Sequence, residues 1–257
     1  MHAFIISLPK DKLRREHLEA QLRQTTVPFT VIEAVNGAAL PSDALAAAYD
    51  PGKAVRRFNR ELSKGEIGCA LSHVSIYRRM VEEYIPMALI LEDDAHILDP
   101  DLAATLAGLA RACPPHEPVA VLLSHVRRYD ARRKTLLDDG RALHDVYRGV
   151  CTHGYVVTQA AAAILLENLY PVHVVADKWE YIQHMFPVKA LVPYAIGLAP
   201  ASQSSSIIAM GARPKKTSTG GNYVYYLRKY LDQLRFLVTR RPFIRIAHQD
   251  KSQHDFQ

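Results

Sequence analysis

An apolar run that ends in three acids is the feature that most constrains the fold of this chain. The run is Ala88–Leu91, and Glu92, Asp93 and Asp94 follow it directly. Four apolar residues favour a buried strand, so the carboxylates fall where that strand leaves its sheet. Adjacent carboxylates repel one another unless a cation lies among them. The run therefore indicates a divalent-ion site at a strand end or, as the alternative, an acidic turn without a ligand.

Strand-like and helix-like patterns alternate along the chain. Ser63 and Glu66 have the spacing of a capping box at the start of a long helix. Strands separated by helices of this length predict an α/β fold with a mostly parallel sheet and helices on both faces. The predicted strands are Ala3–Leu8, Phe29–Ala34, Met87–Leu91, Val119–Ser124 and Gly154–Thr158, and the predicted helices are Lys10–Thr25, Ser63 to about Glu83, Asp99–Ala112 and Gln159–Leu169, with a hairpin turn at Asp138–Gly140.

Composition bounds the class of protein. With 49% hydrophobic and 23% charged residues among 257, we expect a globular protein with one main domain. Its three cysteines (Cys69, Cys113, Cys151) form no C-x-x-C pair, which argues against a disulfide framework or structural zinc and favours a reducing, cytoplasmic compartment. The apolar start is interrupted at Pro9, so we expect a first strand there and no signal peptide.

Residues 213–257 are basic and amphipathic. They hold ten Lys or Arg against three Asp, a net charge of +7, so the rest of the chain contributes −1 to the formal net charge of +6. Within Val224–Arg241, apolar residues recur at steps of three and four, as in an amphipathic helix. We expect an α/β domain over 1–212 and a tail over 213–257 that binds an anionic membrane surface, at the inner face of the cytoplasmic membrane. The alternative is a helix packed on the domain with its basic face in solvent.

Two long blocks of the sequence resemble glycosyltransferase family 25. They are Leu62–His73 (LSKGEIGCALSH) and Leu89–Asp94 (LILEDD). The family comprises lipopolysaccharide and lipooligosaccharide glycosyltransferases and is related to the collagen galactosyltransferases. The resemblance covers roughly residues 1–206. Shorter similarities lie at Ile5–Leu8 with Arg14 and Arg15, at Glu33–Gly37, at Gly154–Thr158 with Ala161, Ala162, Leu165 and Leu166, and at Ala176–Trp179.

The resemblance implies a GT-A-like, Rossmann-type fold and a metal-dependent transfer that inverts the anomeric carbon. The implied donor is a UDP-sugar, most often UDP-galactose, the implied metal is Mn²⁺, and the acceptor is a lipid-linked oligosaccharide. Glu92-Asp93-Asp94 is similar to the family's D-x-D element. Asp94 is then the expected metal ligand, with Glu92 and Asp93 on the ion, its water or the ribose. Because the first acid is Glu rather than Asp, which of the three touches the ion stays open.

The same resemblance implies a set of donor-binding positions. The residues alone leave alternatives: Glu66 as a helix cap only, His73 as a core histidine, and Arg14 and Arg15 as a solvated helix face. With the resemblance, we expect Glu66 to cap its helix and also to touch substrate. The implied positions are Ser7, Leu8, Arg14, Arg15, Ala34, Asn36, Gly37, Ser72, His73 and Asp93.

An inverting transferase needs a general base for the acceptor hydroxyl. Asp177 is our candidate, with Glu66 as a further catalytic candidate, and the alternative for Asp177 is the N-cap of a helix over residues 178–185. Trp179, the one tryptophan, is expected to stack on an acceptor sugar, and Gln203 to contact the acceptor. His153 is a further possible metal ligand.

Two other function classes stay open. A metal-dependent phosphotransferase or nuclease would use the acids for ions and the tail for nucleic acid. It would need a second acid cluster, and only Asp138-Asp139 offers one, so we expect no nucleic-acid partner. The other class is a non-catalytic polyanion-binding module. The sequence contains no P-loop, no G-x-G-x-x-G and no G-x-S-x-G motif.

Overall fold

The computed structural model describes residues 1–149 and 151–199, together with positions 227, 230, 231, 234, 246 and 247. The strands are β1 (His2–Ser7), β2 (Phe29–Glu33), β3 (Met87–Glu92), β4 (Ala95–Ile97), β5 (Ala120–Leu122), β6 (Arg128–Leu136), β7 (Ala142–Arg148), β8 (Gly154–Thr158), β9 (Val188–Val192), β10 (Ile196–Leu198) and β11 (Ile246–Ala247). The helices are α1 (Lys12–Gln24), α2 (Ser42–Ala48), α3 (Pro51–Phe58), α4 (Lys64–Glu82), α5 (Leu102–Ala112), α6 (Gln159–Leu169) and α7 (Trp179–Ile182).

Nine of these strands form the central sheet in the order β11-β6-β7-β9-β5-β8-β3-β1-β2, and β10 pairs with β4 in a separate small sheet. β2, β1 and β3 are parallel neighbours, and β9 is parallel to β5. The other neighbours in the sheet are antiparallel, so β7, β8 and β11 run against the remaining six strands. The predicted α/β class with a mostly parallel sheet is confirmed.

Helices cover both faces of this sheet because successive strand residues point to opposite sides. On β3, Ala88 and Ile90 join an apolar core with residues of α4 and α6. Leu89 and Leu91 join a second core with residues of α1 and α5. All four side chains are fully buried, which explains why β3 reads as a continuous apolar run.

The predicted local structure is largely present. Ser63 and Glu66 form the predicted capping box: Oγ of Ser63 accepts from the Glu66 amide at 3.2 Å, and Oε2 of Glu66 accepts from the Ser63 amide at 2.8 Å. The predicted hairpin joins β6 to β7, and Gly140 there has φ +82°, which suits glycine. The helix expected over 178–185 is wrong in length, since α7 has four residues.

The predicted division into 1–212 and 213–257 falls outside the described residues and stays a prediction. In the tail, Leu227, Tyr230, Leu231 and Leu234 are helical and 38–61% exposed. Residues 246–247 pair with β6 as β11. Among the helices that the structure describes, none combines the length and the apolar character needed to cross a bilayer.

Candidate active site

The carboxyl ends of β1, β2 and β3 bring three loops to one edge of the sheet. The amide of Asp93, after β3, donates to the Ile6 carbonyl at 3.1 Å. The amide of Ala34, after β2, donates to the Ser7 carbonyl at 2.9 Å. Both loops are thus fixed to the end of β1. Open α/β sheets bind ligands at such an edge, and the structure brings the predicted positions Ser7, Ala34 and Asp93 together there.

Asp94 has a buried oxygen without a partner. Its Oδ1 accepts no hydrogen bond from any described residue. Burial raises the pKa of Asp94 to about 7, and the negative charges of Glu92 and Asp93 add to the rise. A buried acceptor left unpaired costs about 1–3 kcal/mol, and more when it is charged. Of the three acids, Asp94 is therefore the one whose environment most favours a bound cation.

Asp93 is held by Arg14 from the start of α1. The guanidinium nitrogen lies 3.2 Å from Oδ1 of Asp93 and 3.1 Å from Oδ2 of Asp11. Burial raises the pKa of Asp93 to about 6, although the Ser7 hydroxyl and the Arg14 charge oppose the rise. Arg14 therefore belongs to the site rather than to a solvated helix face. Arg15 instead lies 3.4 Å from Glu19 on its own helix.

Glu92 is hydrogen-bonded from two sides. Its Oε1 accepts from the hydroxyl of Thr152 and lies 3.3 Å from Nε2 of His73. Burial raises the pKa of Glu92, but the His73 and Thr152 contacts outweigh it and hold this pKa well below its usual range. Nδ1 of His73 lies 2.7 Å from the Tyr155 hydroxyl, which is 2.7 Å from the Tyr77 hydroxyl. This buried chain of contacts orients Glu92 and keeps it ionised.

Two glycines let the loop after β2 touch α4. A Cβ on Gly37 would lie 1.9 Å from the Lys64 carbonyl oxygen, and a Cβ on Gly68 would lie 2.4 Å from the Val35 carbonyl oxygen. The hydroxyl of Ser72 accepts from the Val35 amide and donates to the Gly68 carbonyl, both at 2.8 Å. Ser72 and Gly37 thus fix this loop against α4. Their predicted donor contacts stay predictions, as does that of Leu8.

Asn36 lies in the same loop. Its Oδ1 accepts from the Ala38 amide at 3.1 Å, which forms a local turn. The predicted donor contact of Asn36 stays a prediction.

Glu66 has both oxygens occupied. Arg60 donates to Oε1 at 2.6 Å and to Oε2 at 2.7 Å, and Oε2 also accepts from the Ser63 amide. Burial raises the pKa of Glu66, but the bonds from Arg60 and Ser63 outweigh it and leave this pKa lowered. The side chain is a structural acid at the start of α4. Its geometry gives no support to the predicted catalytic role.

Asp177 and two acids of the triplet, Glu92 and Asp94, lie within electrostatic range of the same residue, Cys69. Burial raises the pKa of the Cys69 thiol well above its usual range, and the charges of Glu92, Asp177 and Asp94 raise it further. The Asp177 side chain is exposed, and its carbonyl accepts from the Trp179 amide at 3.0 Å. The N-cap of α7 is Lys178, so the alternative role of Asp177 as that N-cap is wrong. Its role as the base stays a prediction.

The sequence over residues 1–179 matches the profile of glycosyltransferase family 25, described as an LPS biosynthesis protein. The chain belongs to glycosyltransferase family 25. The predicted family is therefore confirmed, and the acidic triplet, α4 and the Asp177 segment all lie within the matched residues.

The names of relatives in family 25 include both a galactosyltransferase and a protein described as inactive. Procollagen galactosyltransferase 2 of Mus musculus is 34% identical over 94 residues, 35% of this chain and 15% of that protein. A glycosyltransferase 25 family member of Drosophila pseudoobscura pseudoobscura is 31% identical over 180 residues, 66% of this chain and 28% of that protein. Inactive glycosyltransferase 25 family member 3 of Homo sapiens is 38% identical over 94 residues, 35% of this chain and 16% of that protein. The chain spans less than a third of the length of each of these relatives.

Cys69, His73 and Glu92 are a group of possible metal ligands in the described part of this family 25 chain. One ligand atom from each lies within 4.8 Å of the others. The raised pKa of the Cys69 thiol and the two existing contacts of His73 disfavour this set as a metal site. A thiol and an imidazole also suit Zn²⁺ better than the hard ion Mn²⁺. The oxygen of Asp94 is the better match to a hard ion.

The predicted acceptor contact of Trp179 is corrected by the structure. The indole is 1% exposed, its Nε1 donates to the Cys151 carbonyl at 2.7 Å, and its ring meets that of Tyr155 edge-on at 5.0 Å. A buried ring offers no face to a sugar, so Trp179 is a packing anchor for the segment that carries Asp177. Gln203 lies outside the described residues, and its predicted contact is untested.

Sequence reasoning missed several residues that shape this site. Thr152 and Tyr155 contact Glu92 and His73 from β8 and the segment before it, and no local motif marks them. Arg60 was missed although it lies six residues before Glu66. His153, considered as a metal ligand, accepts from the Glu92 amide through its carbonyl at 3.2 Å, and its charge helps to lower the Glu92 pKa.

Proposed function

We propose that this chain is an inverting, metal-dependent glycosyltransferase that transfers a sugar from a UDP-sugar, with UDP-galactose as the first donor to test. The observation that carries the proposal is the buried Oδ1 of Asp94 at the carboxyl edge of β3, which has no hydrogen-bond partner in the described part of the chain. Family membership supports the reaction class. The procollagen galactosyltransferase relatives support galactose as the sugar.

The chain's acids fit a divalent ion of the Mn²⁺ type. Asp94 would hold it, and the ionised Glu92 lies two residues before Asp94. When bound, such an ion supplies positive charge to the diphosphate as UDP departs. Arg14 offsets the charge of Asp93, which reduces the electrostatic repulsion among the three acids.

Asp177 is the proposed general base. It would take the proton from an acceptor hydroxyl as that oxygen attacks the sugar from the face opposite UDP, which inverts the anomeric carbon. Two observations support this choice: the carboxylate is exposed, and its charge reaches Cys69 together with the charges of Glu92 and Asp94. The buried Trp179 anchors the segment without occupying the acceptor space.

The proposed acceptor is a lipid-linked oligosaccharide, and the proposed location is the inner face of the cytoplasmic membrane. Exposed Leu227, Tyr230, Leu231 and Leu234 support a membrane contact, because they share one helix face within the basic segment. Flotation with anionic vesicles should carry the parent protein, and Leu227→Glu/Leu231→Glu should abolish it. Flotation of this double variant at the parent level would overturn the membrane contact.

A donor screen tests the proposed reaction. Purified protein is incubated with UDP-galactose, UDP-glucose, UDP-N-acetylglucosamine or ATP, with Mn²⁺ or with a chelator. We expect UDP release from one UDP-sugar in the presence of Mn²⁺ only, and a raised melting temperature with that donor. Stabilisation by ATP or nucleic acid, with no response to any UDP-sugar, would favour the phosphotransferase or nuclease class and contradict the proposal.

A further inference from the structure

A cavity lies between α3, the end of α6 and α7. Its volume is about 310 Å³. This is near the lower end of the volumes found for small-molecule sites. Its lining includes Lys53, Arg56, Arg57, Tyr170, His173 and Tyr181, together with the acid Glu167.

Three cations of this pocket come from one helix face. Lys53, Arg56 and Arg57 are three and four residues apart on α3, so their side chains project to the same side. Asp50 lies 3.5 Å from Lys53 and offsets part of its charge. The pocket thus carries more positive than negative charge, in contrast to the acidic end of β3.

The aromatic rings of the pocket are also associated with cations. The guanidinium of Arg57 lies 3.7 Å from the centre of the Tyr181 ring. The guanidinium of Arg78, from α4, lies 5.3 Å from the centre of the Tyr170 ring. Aromatic rings beside guanidinium groups form a surface that suits a sugar ring bearing an anionic group.

The buried imidazole of His173 lines this pocket beside the cations of α3. Its Nδ1 donates to the Pro171 carbonyl at 2.9 Å. Burial lowers the pKa of His173, and the charges of Lys53 and Arg57 lower it further against the opposing effect of the Pro171 bond. An anion in the pocket would relieve the repulsion that these cations exert on one another.

The pocket adjoins the segment of the proposed general base. Tyr181 lies on α7, four residues after Asp177. We propose that the pocket binds a phosphorylated sugar of the acceptor glycan, which places the acceptor beside Asp177. This inference rests on the proposed transferase function. The three cations provide the charge-assisted hydrogen bonds that a phosphate dianion requires.

Calorimetric titration of the full chain with glucose 6-phosphate, and with glucose as the uncharged comparison, tests this inference. Lys53→Ala/Arg56→Ala removes two exposed cations from the pocket. Arg133→Ala/Lys134→Ala removes two exposed cations from β6 and is the matched control. We expect the parent and the control to bind glucose 6-phosphate alike, and the pocket variant to bind it at least about tenfold more weakly.

Several results would overturn the pocket assignment. They are the absence of saturable glucose 6-phosphate binding, equal weakening in both double variants, equal binding of glucose, and displacement of glucose 6-phosphate by UDP. Loss of anionic-vesicle flotation in the pocket variant would assign the cations to a lipid headgroup and would also overturn it. UDP-sugar turnover without glucose 6-phosphate binding removes this inference alone. Glucose 6-phosphate binding without any UDP-sugar response removes the transferase function and leaves a sugar-phosphate site.

Discussion

The N-terminus of α4 and the end of β3 each bury a carboxylate oxygen, but the hydrogen bonding and the pKa shifts of these two carboxyl groups are opposite. Glu66 receives three hydrogen bonds, two of them from Arg60, and its pKa is lowered. Asp94 keeps a buried oxygen without a described partner, and its pKa is raised to about 7. Burial is common to both residues, so the difference lies in the partners.

This contrast separates a structural acid from a candidate ligand. An acid whose hydrogen-bonding capacity is met within the protein stabilises the fold and offers little to a substrate. A buried acid whose hydrogen-bonding capacity is not met within the protein lowers the stability of the fold, and such groups are concentrated at functional sites. Both residues fall in the family-like sequence blocks, so the motif alone assigns them equal weight.

The largest expected effect is on stability at Glu66. Glu66→Ala removes the carboxylate that pairs with Arg60, whose side chain is 14% exposed, and removing one member of a buried ion pair costs about 3–5 kcal/mol. Urea denaturation measures this loss in the free energy of unfolding. Glu61→Ala, at an exposed neighbouring position, is the control and should change it by less than about 0.5 kcal/mol. An equal loss in the free energy of unfolding for the two variants would contradict the structural role of Glu66.

The next effect is on turnover at Asp94. Asp94→Asn should lower Mn²⁺-dependent turnover of the UDP-sugar by at least about a hundredfold, the scale of one transition-state electrostatic contact. Asp138→Asn, at a side chain 81% exposed, is the control and should retain parental turnover. Activity of Asp94→Asn within a few-fold of the parent would remove Asp94 from the site.

A pair of glycine variants tests how closely the loop after β2 packs against α4. Gly68→Ala forces a Cβ against the backbone of Val35 and Gly37, and overpacking of this kind costs about 1–3 kcal/mol. At Gly65 the nearest atom to a new Cβ is the Ser63 hydroxyl at 4.0 Å, so Gly65→Ala should be neutral or stabilising by up to about 1 kcal/mol. Thermal unfolding compares them. Equal melting temperatures would contradict the close contact of the loop with α4.

The smallest effect is a pH dependence from Glu66. Because folding lowers the pKa of Glu66, its stabilising contribution is present above the unfolded pKa of about 4.3 and is lost as pH falls through the folded value. The stability difference between the parent and Glu66→Ala should therefore shrink on acidification below about pH 4. A difference that stays constant from pH 7 to pH 3 would contradict the lowered pKa.

The sequence allowed the strand, the acids and the helix cap to be predicted, because each depends on neighbouring residues. β3 follows from its apolar run, and the capping box follows from Ser63 and Glu66. Contacts between distant segments were not predictable in the same way. Thr152 meets Glu92 across 60 residues, and Arg60 completes the environment of Glu66 through a turn with no marked pattern.

Burial of single side chains was equally hidden. A tryptophan ring can stack on a sugar when it is exposed, but packing against Tyr155 and Gly149 places Trp179 in the core. The antiparallel direction of β8 between β3 and β5 was also not visible, because its five residues, GYVVT, fit either strand direction. Only the assembled sheet shows that Oδ1 of Asp94 has no hydrogen-bond partner among the described residues, whereas Glu66 has several.

Anomalous X-ray diffraction from crystals soaked with Mn²⁺ and UDP tests whether Asp94 holds the ion. We expect an anomalous peak within coordination distance of the Asp94 carboxylate, about 2.0–2.3 Å, with the diphosphate on the same ion. A peak bound by Cys69 and His73 instead, or UDP bound at the end of β3 with Asp94 contacting no metal, would contradict it.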